Sequence, residues 1–375
     1  MIVAGEASGD MYGASLVEAI KRLAPRANFF GLGGPEMQRA GVRTVRHLSD
    51  IAVVGMTEVI PKMRRILGAL RMLKGILSSD PPDLLILIDY PGFNLNLAKK
   101  AHALGIPVLY YIPPQLWAWW EARVKKVAHR ADQVAVVLPF EKDFYLKHGI
   151  EVAYVGHPLL DMGLPKRSKE EIRESLGISS EKGPVLGLLP GSRNEEVLRH
   201  LPIMINAAEL ISDSYPHLYC VLPLASTVNG KVIEPYVRNA GCDIVVDSSD
   251  TKELLKIADV AFVASGTATL EAAITKTPMV IAYKVSPVSY MLGRLLAKVS
   301  HIGLVNLVAG KTVVRELIQG EATAAALAEE GLAILKNDEV REHMKEELRM
   351  VTERLGQGGA SEKTARIAGK MMGIH

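Results

Sequence analysis

Two successive series of short, continuous apolar runs, separated by longer amphipathic stretches, constrain this chain more than any other feature. The first series lies near Ile2–Ala4, Asn28–Gly31, Asp83–Ile88, Pro107–Tyr111, Gln133–Val137 and Val152–Val155. The second lies near Val185–Leu189, Leu218–Leu222, Asp243–Val246, Asp259–Ala264 and Met279–Ala282. Val, Ile and Leu fill these runs without polar alternation, as in parallel strands covered by helices on both faces. The pattern predicts an α/β protein with two Rossmann-like domains facing a cleft. The expected domains are residues 1–160 and 165–358, with the terminal helix 359–375 folding back on the first. The break carries Pro158, Gly163, Pro165 and the charged run KRSKEE.

A length of 375 residues exceeds what one hydrophobic core usually organises. The two cysteines, Cys220 and Cys242, lack zinc-ligand spacing and suit a reducing compartment. The opening MIVAGEASGD has no basic n-region or long apolar core, so it does not read as a signal peptide. No stretch of about 18 apolar residues predicts a membrane span. A net charge of +3 does not imply nucleic acid as a partner.

In open α/β sheets ligands bind beyond the carboxyl ends of the strands. Gly5–Asp10 (GEASGD) follows the first strand without the Gly-Lys-Ser/Thr of a phosphate loop. Ser8 or Asp10 suits an N-cap there, whereas Glu6 precedes the cap at the strand mouth. FGLGGPEM has Gly31 and Gly33 but Glu36 where a dinucleotide fingerprint needs a third glycine, which excludes NAD. Asp89 ends the run LLILID and suits a general base, with Asn94 opening the next helix. Trp117, Trp119 and Trp120 are the chain's three tryptophans. They read either as core or, beside Gln115 and Arg123, as a wall for an apolar or sugar substrate.

LPGSRNEEV repeats the arrangement in the second half. Gly191 permits close backbone approach, Ser192 or Asn194 suits a cap, and Glu195 and Glu196 favour the first helical turn. Arg193 is unfavourable beside a positive helix end unless an anion joins it, and a phosphate fits. Ser265, Gly266 and Thr267 open another helix, with Thr269 and Glu271 in its first turns. Two anion sites at neighbouring strand ends predict a nucleoside diphosphate, with Glu271 accepting from ribose hydroxyls.

GEASGD, FGLGGPEM, IDYPGFN, the WAW segment, LPFEKDFY, GHPL, LPGSR, ASGTATLE and VNLVAG occur in this order across nearly the whole chain. Together they resemble the lipid-A-disaccharide synthase family of inverting glycosyltransferases with the GT-B fold. The resemblance implies transfer of 2,3-diacylglucosamine from UDP to 2,3-diacylglucosamine 1-phosphate, giving a β-1,6-linked disaccharide in lipid A biosynthesis. It implies no metal or other cofactor. It carries Glu6, Ser8, Gly9, Asp10, Asp89 and Asn94 over as acceptor-side residues. On the donor side it marks Arg193, Ser265, Gly266, Thr267, Glu271, Tyr283 and Asn306. Many members have an aspartate where Gly92 stands, so the base is left among Asp89, the first choice, Glu6 and Asp10. Val305 replaces a common proline, and the short first strand suggests that a few residues precede Met1.

Lipid substrates require a membrane surface. Met63, Ile66, Leu67, Leu70, Leu73 and Leu77 form one helical stripe, with Lys62, Arg64, Arg65, Arg71 and Lys74 beside it. That helix is read either as a peripheral anchor on the inner face of the inner membrane or as a core helix with a solvated basic face. Residues 288–299 are a second candidate anchor, and a homodimer is admissible. The alternatives are another GT-B enzyme on a UDP-sugar (a peptidoglycan glycosyltransferase or a 2-epimerase) and a non-catalytic sugar-nucleotide sensor.

Overall fold

The apolar runs pair side by side in two parallel sheets. A computed structural model describes residues 1–47, 59–119, 121–178, 183–225, 227–248, 250–287, 290–291 and 300–374. Trp120 and most of residues 288–299 lie outside these. One compact unit comprises Met1–Asp161 with residues 355–374, and the other is drawn from residues 162–354.

The first unit contains β1 (Ile2–Ala4), β2 (Phe29–Gly33), β3 (Val42–His47), β4 (Leu85–Ile88), β5 (Val108–Tyr111), β6 (Gln133–Val136) and β7 (Ala153–Tyr154). Their order across the sheet is β3-β2-β1-β4-β5-β6-β7. The second contains β8 (Val185–Leu189), β9 (Tyr219–Pro223), β10 (Asp243–Asp247), β11 (Val260–Ala264), β12 (Met279–Tyr283) and β13 (Glu316–Ile318). Their order is β10-β9-β8-β11-β12-β13. The described pairings are all parallel. Strands β3 and β13 had no counterpart among the apolar runs. Both are edge strands, and VRTVRH and ELI carry the polar residues that an edge tolerates.

Each sheet reverses direction of winding once, between β1 and β4 and between β8 and β11. Register is tight at both places. Ala4 pairs with Ile88, so Gly5 and Asp89 leave the sheet side by side. Val263 pairs with Leu189, so Pro190 leaves the sheet beside Ala264, the last residue of β11. Such switch points open the crevice in which doubly wound folds bind ligands.

The cores explain why the runs are uninterrupted. Val3, Leu85, Leu87, Tyr110 and Val136 pack with Leu97, Ala98 and Ala101 of the helix Pro91–Ala103. In the second unit Leu186, Leu188, Phe262 and Val280 pack with Leu201, Met204 and Ala208 of the helix Asn194–Ser212. Each Val, Leu, Phe or Met among them gives roughly 1.5–3 kcal/mol on burial. The helix Ala360–Met371 packs on the helix Ala7–Leu23 within the first unit. The Asp161 carboxylate accepts the Ala360 and Ser361 N–H groups at 3.1 and 2.8 Å, fixing that helix's start.

The basic helix Val59–Ser79 divides its stripe between two roles. Ala69, Leu73 and Leu77 are buried, and Ile66 and Leu70 pack partly against the same core. Met63 and Leu67 are 48% and 42% exposed, in company with exposed Arg64, Arg65 and Arg71. Among the described residues no helix is long and apolar enough to cross a membrane.

Candidate active site

The first switch point brings together the carboxylates of GEASGD and IDYPGFN unequally. Glu6 is the extended residue before the helix Ala7–Leu23 and makes no capping bond to it. Asp10, one of the two residues expected to cap that helix, instead lies inside its first turn. Its buried carboxylate accepts N–H groups of Gly34, Glu36 and Met37 at 2.7, 3.0 and 3.1 Å. Both its oxygens serve the start of the helix Pro35–Arg39, which makes Asp10 a brace rather than a free base. Ser8 and Gly9 occupy the turn between Glu6 and Asp10, with Ser8 half-buried and Gly9 buried.

Asp89 leaves β4 with φ of +48°, and Tyr90 follows at +47°. Non-glycine residues there cost about 1–3 kcal/mol each, so the surroundings must impose the bend. Buried Asn94 supplies much of that constraint, donating through Nδ2 to the carbonyls of Ile88 (3.0 Å) and Asp89 (2.7 Å). The Tyr110 hydroxyl donates to the same Asp89 carbonyl at 2.9 Å. With its backbone oxygen held twice, the half-buried Asp89 side chain starts from a fixed point at the strand end. Tyr90 then folds over Gly5, where a Cβ would stand 2.1 Å from the ring. Burial, reinforced by Glu6, raises the Tyr90 pKa, which places Glu6 near this bend. Added side-chain volume at Gly92 would meet nothing within 4 Å.

Trp117 has a different attachment. Its indole N–H donates to Glu141 at 3.1 Å, and its ring meets Phe140 edge-on with centroids 4.9 Å apart. Glu141 is buried and also accepts the N–H groups of Val137 and Leu138 at 3.1 and 3.0 Å. Burial pushes its pKa up to about 7 against those three donors. The tryptophan is thus anchored to the helix Pro139–Leu146.

At the second switch point Arg193 is the residue before the helix Asn194–Ser212, which no side chain caps there. Asn194, a candidate cap, instead accepts the Asn229 N–H through Oδ1 at 3.1 Å. Ser192 donates its N–H to Glu196 Oε2 at 3.1 Å, while Arg193 Nη1 meets Glu196 Oε1 at 3.0 Å. Gly191 has φ of +122°, and a Cβ there would lie 2.7 Å from that of Glu196. After β11, Thr267 begins the helix Ala268–Ile274, again without a side-chain cap. Ser265 Oγ donates to Ile302 O at 2.8 Å, and buried Thr269 donates to Gly266 O at 2.8 Å. Glu271 is driven up to about pKa 7, chiefly by burial and then by Asp250, against the pull of Lys252. Tyr283 ends β12 and is influenced by Glu196, Arg193 and Arg199, with burial the largest cause of its raised pKa.

Asn306 spends its whole amide on the protein. Nδ2 donates to Val314 O and Glu316 Oε1, both at 2.8 Å, and Oδ1 accepts from Val313 N and Val314 N. Glu316 in turn accepts the Ile302 and Gly303 N–H groups. Asn306 is thus linked to Ser265 through Glu316 and the Ile302–Gly303 backbone. Glu316, Glu141 and Tyr90 were not singled out from the sequence, nor was His200. For Glu316, Glu141 and Tyr90 the signal was a polar residue at a strand or helix end beside an apolar run, whereas His200, inside a helix, gave none. Among the described residues no three His, Cys, Asp or Glu side chains converge as a metal site requires.

Comparison with known proteins agrees with this frame. Residues 1–370 match the family described as lipid-A-disaccharide synthetase. The chain is 46% identical to the lipid-A-disaccharide synthase of Geobacter metallireducens, covering 100% of this chain and 97% of that one. It is 40% identical to the enzyme of the same name from Coxiella burnetii, covering 98% and 96%. Among solved structures, UDP-GlcNAc 2-epimerase from Neisseria meningitidis bound to UDP-GlcNAc is similar in fold, with TM-score 0.69, 13% identity and coverage of 98% and 99%. The calicheamicin glycosyltransferase CalG4 gives TM-score 0.60, 15% identity and coverage of 99% and 96%. The fold is of the GT-B type, and the chain belongs to the lipid-A-disaccharide synthetase family.

Proposed function

We propose that this glycosyltransferase of lipid A biosynthesis moves 2,3-diacylglucosamine from UDP to the 6-hydroxyl of 2,3-diacylglucosamine 1-phosphate. A β-1,6-linked disaccharide and UDP are the products. The observation that carries the reading is the division of chemistry between the two switch points. The first holds Glu6 and Asp89, and the second holds Arg193 and two uncapped helix starts.

Inversion at the anomeric carbon needs one in-line displacement. Asp89 takes the proton from the acceptor hydroxyl as the new C–O bond forms, and the bond to UDP breaks with its electron pair. Arg193 and the amides from Ser265 to Thr267 receive the charge gathering on the diphosphate. Glu271 accepts from the ribose. Glu6 stands near the same bend as Asp89 and supports it, while Asp10 braces the loop beneath.

The work is done on the cytoplasmic face of the inner membrane. Met63 and Leu67 enter the lipid boundary there while Arg64, Arg65 and Arg71 face anionic headgroups.

The test is incubation of the pure protein with both lipid substrates without added metal, followed by mass spectrometry. A tetra-acyl disaccharide phosphate matched by equal UDP supports the reading. UDP without disaccharide, or neither product from folded protein, rejects it.

A further inference from the structure

His200 lies in the helix Asn194–Ser212, two turns beyond Arg193, and is 2% exposed. Its ring touches three separate segments. Nδ1 is 2.8 Å from the Glu196 carbonyl and 3.1 Å from the Pro190 carbonyl. Both partners only accept, so Nδ1 carries a proton. Nε2 is 2.9 Å from the Lys284 backbone N–H, which only donates, so Nε2 must be bare. The Tyr283 ring lies over the imidazole at 6.5 Å with an interplanar angle of 25°. One tautomer of the neutral ring satisfies every contact.

We infer that His200 is a positioning residue that latches the arginine loop to the exit of β12, so that the diphosphate site is assembled only around a neutral imidazole. This rests on the reading of Arg193 as the diphosphate clamp. Pro190 is three residues before Arg193, and Glu196 is the arginine's own ion-pair partner. Tyr283 and Lys284 lie at the exit of β12, two strands across the sheet from β8. The latch therefore sets the distance between the clamp and the exit of β12. Protonation puts a second N–H against the Lys284 N–H and breaks it. The groups acting on the ring are Glu196 and Arg199 on its own helix, the Tyr283 ring stacked on it and the Lys284 backbone N–H at Nε2, while Arg193 acts on Tyr283. Burial is the largest influence and lowers the histidine's pKa, with Arg199 acting the same way; the two carbonyls and Glu196 oppose them.

The experiment is UDP titration calorimetry from about pH 5 to about pH 8 on wild type, His200→Leu, His200→Gln and Arg193→Ala, with circular dichroism on each. The latch predicts that His200→Leu binds UDP about tenfold more weakly at neutral pH with an unchanged spectrum. It also predicts that the wild-type advantage over His200→Gln shrinks as pH falls, because glutamine does not titrate. Folded His200→Leu binding UDP within about twofold of wild type, or parallel pH profiles for wild type and His200→Gln, overturns the latch. If His200→Leu does not fold, the glutamine comparison decides alone. Undiminished UDP binding by Arg193→Ala is a separate result, and it sinks the clamp on which the latch rests.

Discussion

The guanidinium of Arg193 lies 3.0 Å from one oxygen of Glu196, whose other oxygen accepts the Ser192 N–H at 3.1 Å. One glutamate thus holds both the loop and the arginine at the mouth of β8. The pair is largely exposed, so it contributes little to stability. Arg193→Ala should therefore leave the melting temperature nearly unchanged while lowering kcat by about 10²–10³. Steady-state kinetics at saturating donor, beside a thermal melt, check both halves.

In the proposed mechanism Asp89 takes the proton of the acceptor hydroxyl and Glu6 supports the bend that holds it. Asp89→Asn should lower kcat by about 10²–10⁴ while UDP binding is kept. Glu6→Gln should cost less, because Glu6 acts only by supporting the bend. If Glu6→Gln is the more damaging change, the base is Glu6. Product formation measured by mass spectrometry decides.

Asn94→Ala would remove the donor shared by the Ile88 and Asp89 carbonyls, leaving the Asp89 carbonyl with Tyr110 alone. Losing the two bonds should destabilise the first unit by about 1–3 kcal/mol. The bend at Asp89 would relax, so kcat should fall even at temperatures where the variant is folded. Urea unfolding and kinetics on one preparation test this.

Gly191→Ala should be more damaging than its size suggests. The backbone is left-handed there, and the new methyl would crowd Glu196. UDP affinity should fall with Arg193 intact, which calorimetry would show.

Stability of the first unit should fall on mild acidification. Burial lowers the His157 pKa from 6.5 to about 4, opposed by Asp161. A depressed histidine contributes stability that is full above about pH 6.5 and is lost as pH falls towards about 4. The loss is about 3 kcal/mol. His157→Asn should flatten the dependence of the urea midpoint across that window.

Vesicle binding should follow charge and the two exposed apolar residues. Met63→Glu with Leu67→Glu should abolish co-sedimentation with anionic vesicles, and added salt should weaken it for wild type. Salt-independent binding would count against the arginines.

The sequence determined the α/β class and the positions of most strands along the chain. Runs such as LLILI and VLGLL are buried on both faces and so carry no competing polar pattern. It also singled out Asp89, a charge ending an apolar run, and Arg193, a cation beside a positive helix end. Edge strands β3 and β13 escaped, since a half-solvated strand mixes charge with apolar residues and resembles a loop. The tertiary structure alone decided what the other polar residues do. Asp10 and Asn306, carried over as site residues by the resemblance, bond chiefly to backbone groups brought near by folding, 24 residues away for Gly34 and 8 for Val314. His200 showed the reverse: an ordinary helix residue in the sequence, it meets the exits of β8 and β12 in space. Local chemistry fixes what a residue can donate or accept, but only the packed sheet fixes which partner arrives.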